Sequence, residues 1–438
     1  LAIPQTASGT TRDKEHKSFV DSPTRGSDYT AREVYVGNTN YQRVPVDTGV
    51  EDSFGRLKVA QPHLLFDSHF QYSLQEKVFI RSTDLGATIT HDVNRAAVRL
   101  SCSATPNSRA RFRTRNYFPY SPAFTNTVIG SFNFQGTNNG IVKRIGMFDE
   151  RNGYILESNS TIRVGIRSSI SGSPVTTYVD RANWNIDVMD GSGDEANPSG
   201  KTIDTTKQNI FYLQFQWLGS GSVVFGFVFD NRIYPVHRFD FAGNITSLYS
   251  QTATLPIQAE ILNNSGLASF FEFTCCSVVS NGALAQHGHL HSASNGITPR
   301  TLSATGVAYP VMSIRKAPGY SSIPVQILDL NCFSTSQDDF LVQIIHKPTL
   351  TGAVWVNIPA SFCQKDVSAT AFTGGEIVAE FYMKGNLQAS ERLDVISKFW
   401  DLTLGDDFLG NSEIMLIAAT PLTTNANMYS VISFKEYE

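Results

Sequence analysis

Apolar and polar positions alternate with a period of two along most of the chain, the signature of half-buried strands. In Phe211-Tyr212-Leu213-Gln214-Phe215-Gln216-Trp217 every odd position is large and apolar, and two of the three even ones are Gln. Leu218-Gly219-Ser220-Gly221-Ser222 reverses the chain, and Val223, Phe225, Phe227 and Phe229 share the face of the next strand. Asp230-Asn231 turns it again into Ile233-Tyr234-Pro235-Val236, which predicts an antiparallel meander with tight turns. The pattern repeats in Ile141–Met147 and Tyr154–Glu157 around the turn Asp149–Gly153, and in Ile162, Val164 and Ile166. It returns in Phe340, Val342 and Ile344, in Val354, Val356 and Ile358, in Ile377, Ala379 and Phe381, and in strands around Ile414–Ala418 and Tyr429–Phe434. Helical spacing is scarce; Ser390–Trp400, with Leu393, Ile396 and Phe399, is the best candidate for one short helix. The predicted fold class is therefore all-β: two antiparallel β-sandwich, jelly-roll-like domains with an extended N-terminal arm.

Shifts in composition set the expected boundaries. Residues 1–58 are polar, with few apolar positions in any period, and read as an extended arm that orders against another subunit; Val34–Val36 is its one strand. Residues 59–280 form a first β-sandwich, 281–305 a polar, glycine-containing linker, and 306–438 a second β-sandwich.

Composition narrows the function. The 438 residues are 41% hydrophobic and only 17% charged, with a net charge of −4, which argues against nucleic acid as a partner. No run approaches the ~18 apolar residues of a membrane helix, so no membrane insertion is expected. Five cysteines, Cys102, Cys275, Cys276, Cys332 and Cys363, are odd in number and scattered, and read as buried free thiols. Gly200-Lys201-Thr202 lacks the upstream glycine of a phosphate loop and reads as a surface turn.

The candidate chemistry is sparse. His287, His289 and His291 alternate and on an extended segment would share one face, as metal ligands do; the bland reading is an exposed polar loop. Arg109, Arg111, Arg113 and Arg115 form a ladder if Ser108–Asn116 is a strand. Four like charges on one face repel unless solvated or paired, so the ladder is expected to face solvent, an acidic subunit or an anionic host-surface glycan. Trp184, among Asn183, Asn185 and Asp187, is the candidate surface tryptophan for sugar. No serine-hydrolase elbow or His-Glu-x-x-His motif occurs, and the adjacent acid pairs Asp149-Glu150, Asp338-Asp339 and Asp406-Asp407 read as solvating turns. The expectation is no enzyme, with no cofactor.

Three segments carry a resemblance: Lys58–Ser68, Arg144–Asp149 with Asn152–Tyr154, and Phe211–Asp230 around Gln216-Trp217-Leu218-Gly219. Together they resemble a family of tailed-bacteriophage virion proteins, structural components of the tail or its appendages. The likeness covers roughly residues 55–280, with weaker similarity near Ser433–Glu436. It implies a homo-oligomeric subunit of the tail or neck, made in the host cytoplasm, with other virion proteins as partners and a part in host adsorption. The Trp217–Asp230 meander also resembles the central strands of concanavalin-like jelly rolls, and the alternative function is a carbohydrate-binding receptor-recognition protein.

Overall fold

The computed structural model describes residues 33–36, 39–42, 62–122, 124–282, 288–385, 391–393 and 403–437. Of the expected arm, only the backbone of a hairpin, Glu33–Val36 with Thr39–Gln42, lies among them. The rest of the arm and His287 lie outside the described residues. Within those residues no helix is long and apolar enough to cross a membrane.

The chain is all-β, and its first body is two facing antiparallel sheets. The seven-stranded sheet runs in the order Val175–Asp180, Ile162–Ser168, Gly153–Ser158, Ile141–Phe148, Ile257–Asn263, Arg109–Thr114, Phe79–Asp84. The eight-stranded sheet runs Arg232–Asp240, Ser222–Phe229, Asn209–Phe215, Asn126–Asn133, Ser269–Ser280, Ala97–Cys102, Thr88–Asp92, and His63–His69 pairs with Ser269–Ser280 as its eighth strand. Alternation places one set of side chains of each strand in the core. In Arg109–Thr114, Ala110, Phe112 and Thr114 turn inward and the arginines outward. Phe112 stacks on Phe79 with ring centroids 4.5 Å apart and planes 5° from parallel, and Phe70 meets both edge-on. The meander closes through Asp230 and Asn231, both left-handed (φ 50° and 61°), as a two-residue hairpin turn demands.

The Asn209–Phe215 strand departs from the sequence reading. Tyr212, Gln214 and Gln216, expected on a wet face, are buried as fully as their apolar neighbours. The Tyr212 hydroxyl donates to Gln214 Oε1 and Gln216 Nε2 to the Pro122 carbonyl, so these donors are bonded inside the protein.

The second body pairs a five-stranded sheet (His289–Ser294, Ala426–Glu436, Val325–Phe333, Glu391–Leu393, with Arg300–Leu302 also on Ala426–Glu436) with a six-stranded one. The latter runs Val356–Asn357, Cys363–Asp366, Tyr309–Lys316, Met415–Pro421, Asp339–His346, Glu376–Lys384. Two sequence readings change here. The segment read as a linker contributes two strands, because Ala426–Glu436 is long enough to pair with both in series. The helix candidate begins as a strand, Glu391–Leu393, paired with Leu330–Cys332; residues 394–400 lie outside the described residues. Cys102, Cys276, Cys332 and Cys363 are buried free thiols, whereas Cys275 is exposed on the opposite face from Cys276.

The aromatic stack sets a stability prediction. Phe112→Ala should cost about 3–5 kcal/mol and lower the first calorimetric transition by roughly 10 °C; a shift below about 2 °C would show that the stack is not a core element.

Candidate functional site

The outward face of the seven-stranded sheet carries the arginine ladder and the groups that answer it. Residues directly opposite on neighbouring strands share a face. One row therefore crosses all seven strands: Ser82, Arg111, Glu260, Arg144, Glu157, Arg163, Asp180. From Arg111 onward the signs alternate. Glu260 and Glu157, on central strands, are fully buried, and each is held by two arginines. Arg109 Nε donates to Glu260 Oε1 at 2.5 Å, and Arg144 Nη1 reaches Glu260 Oε2 at 3.4 Å. Arg144 Nε and Arg163 Nε donate to the two oxygens of Glu157, each at 2.7 Å, and the Tyr178 hydroxyl donates to Oε2 at 2.5 Å. Glu150, from the turn after Phe148, accepts from Arg109 Nη2 and Arg111 Nη1 at 2.9 Å.

Local sequence makes this geometry possible. Gly165 lies beside Tyr178, and a Cβ there would come within 2.5 Å of the ring. The missing side chain lets Tyr178 lie against the sheet, with the Arg163 guanidinium 4.0 Å above its centroid. Burial alone would raise the Glu260 pKa, but Arg144 and Arg109 outweigh it and hold the carboxyl below its usual range. Four guanidiniums (Arg109, Arg111, Arg144, Arg163) meet four carboxylates (Asp84, Glu150, Glu157, Glu260), and Arg167 and Asp180 add one charge of each sign, so the face sums to no net charge apart from Arg113, which turns to the second body.

The other half of the ladder goes elsewhere. Arg113 Nη2 donates to the carbonyls of Asp406 (3.1 Å) and Asp407 (3.0 Å) in the second body, and its guanidinium lies between Phe408 and Tyr117. Arg111 covers the same Phe408 ring at 4.5 Å. Arg115 pairs with Glu413, which also receives His346 at 2.9 Å and Lys347 at 3.3 Å. Just beneath, Lys316 and Asp406 form a buried ion pair; burial pushes the Asp406 carboxyl up to about 7 and the Lys316 amine down. The ladder read as facing solvent or another subunit is thus paired within the chain, two rungs to the sheet's own acids and two across the junction.

The remaining candidates fall differently. Trp184 is not a surface residue: it is 5% exposed, its Nε1 donates to the Val179 carbonyl at 3.2 Å, and its ring is 6.1 Å from Phe227. Its polar neighbours misled because they are bonded too: Asn185 to the Arg238 carbonyl, and Asp187, itself buried, to Asn197 and the Met189 amide. His289 and His291 lie two apart on an edge strand, and His291 Nε2 is 3.2 Å from Glu436 Oε2. Among the described residues no three His, Cys, Asp or Glu side chains gather to hold a metal. The sequence reading missed Glu157 and Glu260, which look like ordinary outward positions. It also missed Lys143, fully buried on the core face of its strand, where it donates to the Phe134 carbonyl and to Asn138 at 3.0 Å while burial lowers its pKa to about 8.

No family model and no curated protein matches the chain. Solved structures similar to about half of it include an endo-β-1,4-glucuronan lyase from Trichoderma reesei (9% identity, 49% of this chain and 94% of that one, TM-score 0.35). A Bacillus licheniformis β-glucanase (11%, 50% and 98%, 0.32) and peanut lectin (13%, 50% and 98%, 0.30) are further examples. At these values the likeness concerns the β-sandwich fold and nothing finer. Several of these proteins are polysaccharide-cleaving enzymes by name, so the fold gives no support to the expectation of no enzyme, and that expectation is withdrawn. That expectation rested on missing short motifs, and a carboxylate pair assembled from separate strands leaves no such motif.

Two predictions test the network. Arg144→Met strips a counter-charge from both buried carboxylates and should cost about 3–5 kcal/mol; adding Glu260→Gln should recover part of it, read by urea unfolding. Because the folded-state pKa of Glu260 lies below its unfolded value, its contribution is full above about pH 4.3 and is lost as pH falls through the folded value. Stability measured from pH 6 downward should therefore fall less steeply in Glu260→Gln than in the parent; identical slopes would contradict the ion pairs.

Proposed function

We propose that the chain is a carbohydrate-binding recognition protein and that a saccharide docks on the outward face of the seven-stranded sheet. One observation carries this reading. The side chains of Arg109, Arg144 and Arg163 keep 25, 15 and 27% of their surface exposed above Glu260 and Glu157, which are fully buried, and Arg111 (14%) is held beside them by the partly exposed Glu150. The face offers a row of N–H donors locked in orientation from beneath, so little side-chain entropy is lost when acceptors arrive. Sugar hydroxyl and ring oxygens are such acceptors. Because the local charges cancel, a polyanion gains little long-range attraction, and a neutral, hydroxyl-rich saccharide is the matched ligand. This replaces the anionic glycan expected when the ladder was read as unpaired.

Recognition of this kind suits the host-adsorption role implied by the resemblance to tailed-phage virion proteins. Placement on a virion is a separate proposal, supported by that sequence resemblance alone.

The test is an array of neutral oligosaccharides against the full chain, followed by calorimetry on any hit. The expected result is binding that changes little between about 0.1 and 1 M salt and weakens about tenfold in Arg163→Gln or Tyr178→Phe, with the circular-dichroism spectrum retained. Binding that both variants leave intact, or no neutral ligand at all, overturns the proposal.

A further inference from the structure

The six-stranded sheet of the second body carries an arginine in a different electrical state. Arg315, Gln364 and Asn357 are cross-strand neighbours on three adjacent strands at one edge of the sheet. Arg315 Nε and Nη2 both donate to Gln364 Oε1, at 3.0 and 2.9 Å, and Gln364 Nε2 donates to Asn357 Oδ1 at 2.8 Å. The guanidinium lies 4.2 Å from the centroid of Trp355, the residue before the edge strand. Trp355, Arg315 and Gln364 are half-buried, Asn357 is exposed, and the flanking Val354 and Val356 are 64% and 54% exposed.

Among the described residues no carboxylate pairs with Arg315, and Nη1 makes no hydrogen bond. Burial pushes its pKa downward, whereas Arg109 and Arg144 of the first body are flanked by acids that push theirs up. A guanidinium fixed by a neutral amide and stacked on an indole keeps its full charge and a donor edge for an incoming anion.

We infer that Trp355, Arg315, Gln364 and Asn357 form a second saccharide subsite, selective for a sugar that carries a carboxylate. The carboxylate takes the unengaged edge of Arg315, the sugar ring packs on exposed indole and valine surface, and Asn357 meets a hydroxyl. Charge decides between ligand classes: the Arg315 guanidinium has no carboxylate partner among the described residues, the Asp366 carboxylate further along the Gln364 strand being taken up by Val354, Ser368 and Ala369, so a neutral sugar leaves its strongest group unused. The inference does not depend on the first face, which takes neutral sugars through other residues.

The experiment titrates the full chain with an oligogalacturonate and with its carboxyl-reduced counterpart. Oligogalacturonate should bind with an affinity that falls steeply with salt. Affinity should drop about tenfold in Arg315→Gln and in Trp355→Ala, and by less in Arg315→Lys, which keeps the charge but loses the fork. The reduced sugar should bind no more weakly to Arg315→Gln than to the parent. Binding that is insensitive to Arg315→Gln, or lost only in Arg163→Gln, or absent while an acidic peptide binds the same patch, overturns the inference. Loss of neutral-sugar binding alone counts against the first face and leaves this subsite standing.

Discussion

A carboxylate removed from water must find its positive partner inside the protein, and in this chain that requirement organises the seven-stranded sheet. Glu157 and Glu260 sit on central strands with no exposure, where an unpaired charge would cost several kcal/mol. Arg144 lies between them and serves both, Arg109 and Arg163 close the outer sides, and Tyr178 adds a donor. Shared partners make the row one unit rather than a set of separate pairs. That is why this side of the sandwich is polar while its arginines are fixed in orientation from beneath.

The same rule joins the two bodies. Beyond Arg111 the ladder has no acid of its own sheet to meet, and Arg113 and Arg115 turn to the carbonyls of Asp406 and Asp407 and to Glu413. Phe408 packs under Arg111 and Arg113, so the junction combines charge with aromatic contact. One strand of six residues thus supports the outward face at one end and anchors the second body at the other. Arg315 is the counter-example that shows what the pairing does: with an amide and an indole as neighbours it stays an open cation.

The strands of the core were legible from sequence because a side chain's face depends only on its parity. The alternation in Ile162–Ser168 and Phe211–Trp217 assigned the inward residues correctly, and the Asp230-Asn231 turn follows from the left-handed backbone these residues tolerate. Parity is silent on whether the second face is wet. Tyr212, Gln214 and Trp184 are buried all the same, and the strands at 289–294 and 300–302 exist because Ala426–Glu436 is there to pair with them.

The candidate site shows the division most clearly. The sequence by itself determined that Arg109, Arg111 and Arg113 point to one side of a strand, and that such a row must be paired or solvated. Only the tertiary structure decided that Glu260 lies opposite Arg111, that Glu157 lies beyond Arg144, and that Glu413 waits at the far end. These partners come from positions 39 to 298 residues away from their arginines, apart from the hairpin neighbours of Glu157. Register between strands is set by the packing of the opposite, apolar face, so the charge pattern is a consequence of how the core closes and cannot be read one strand at a time.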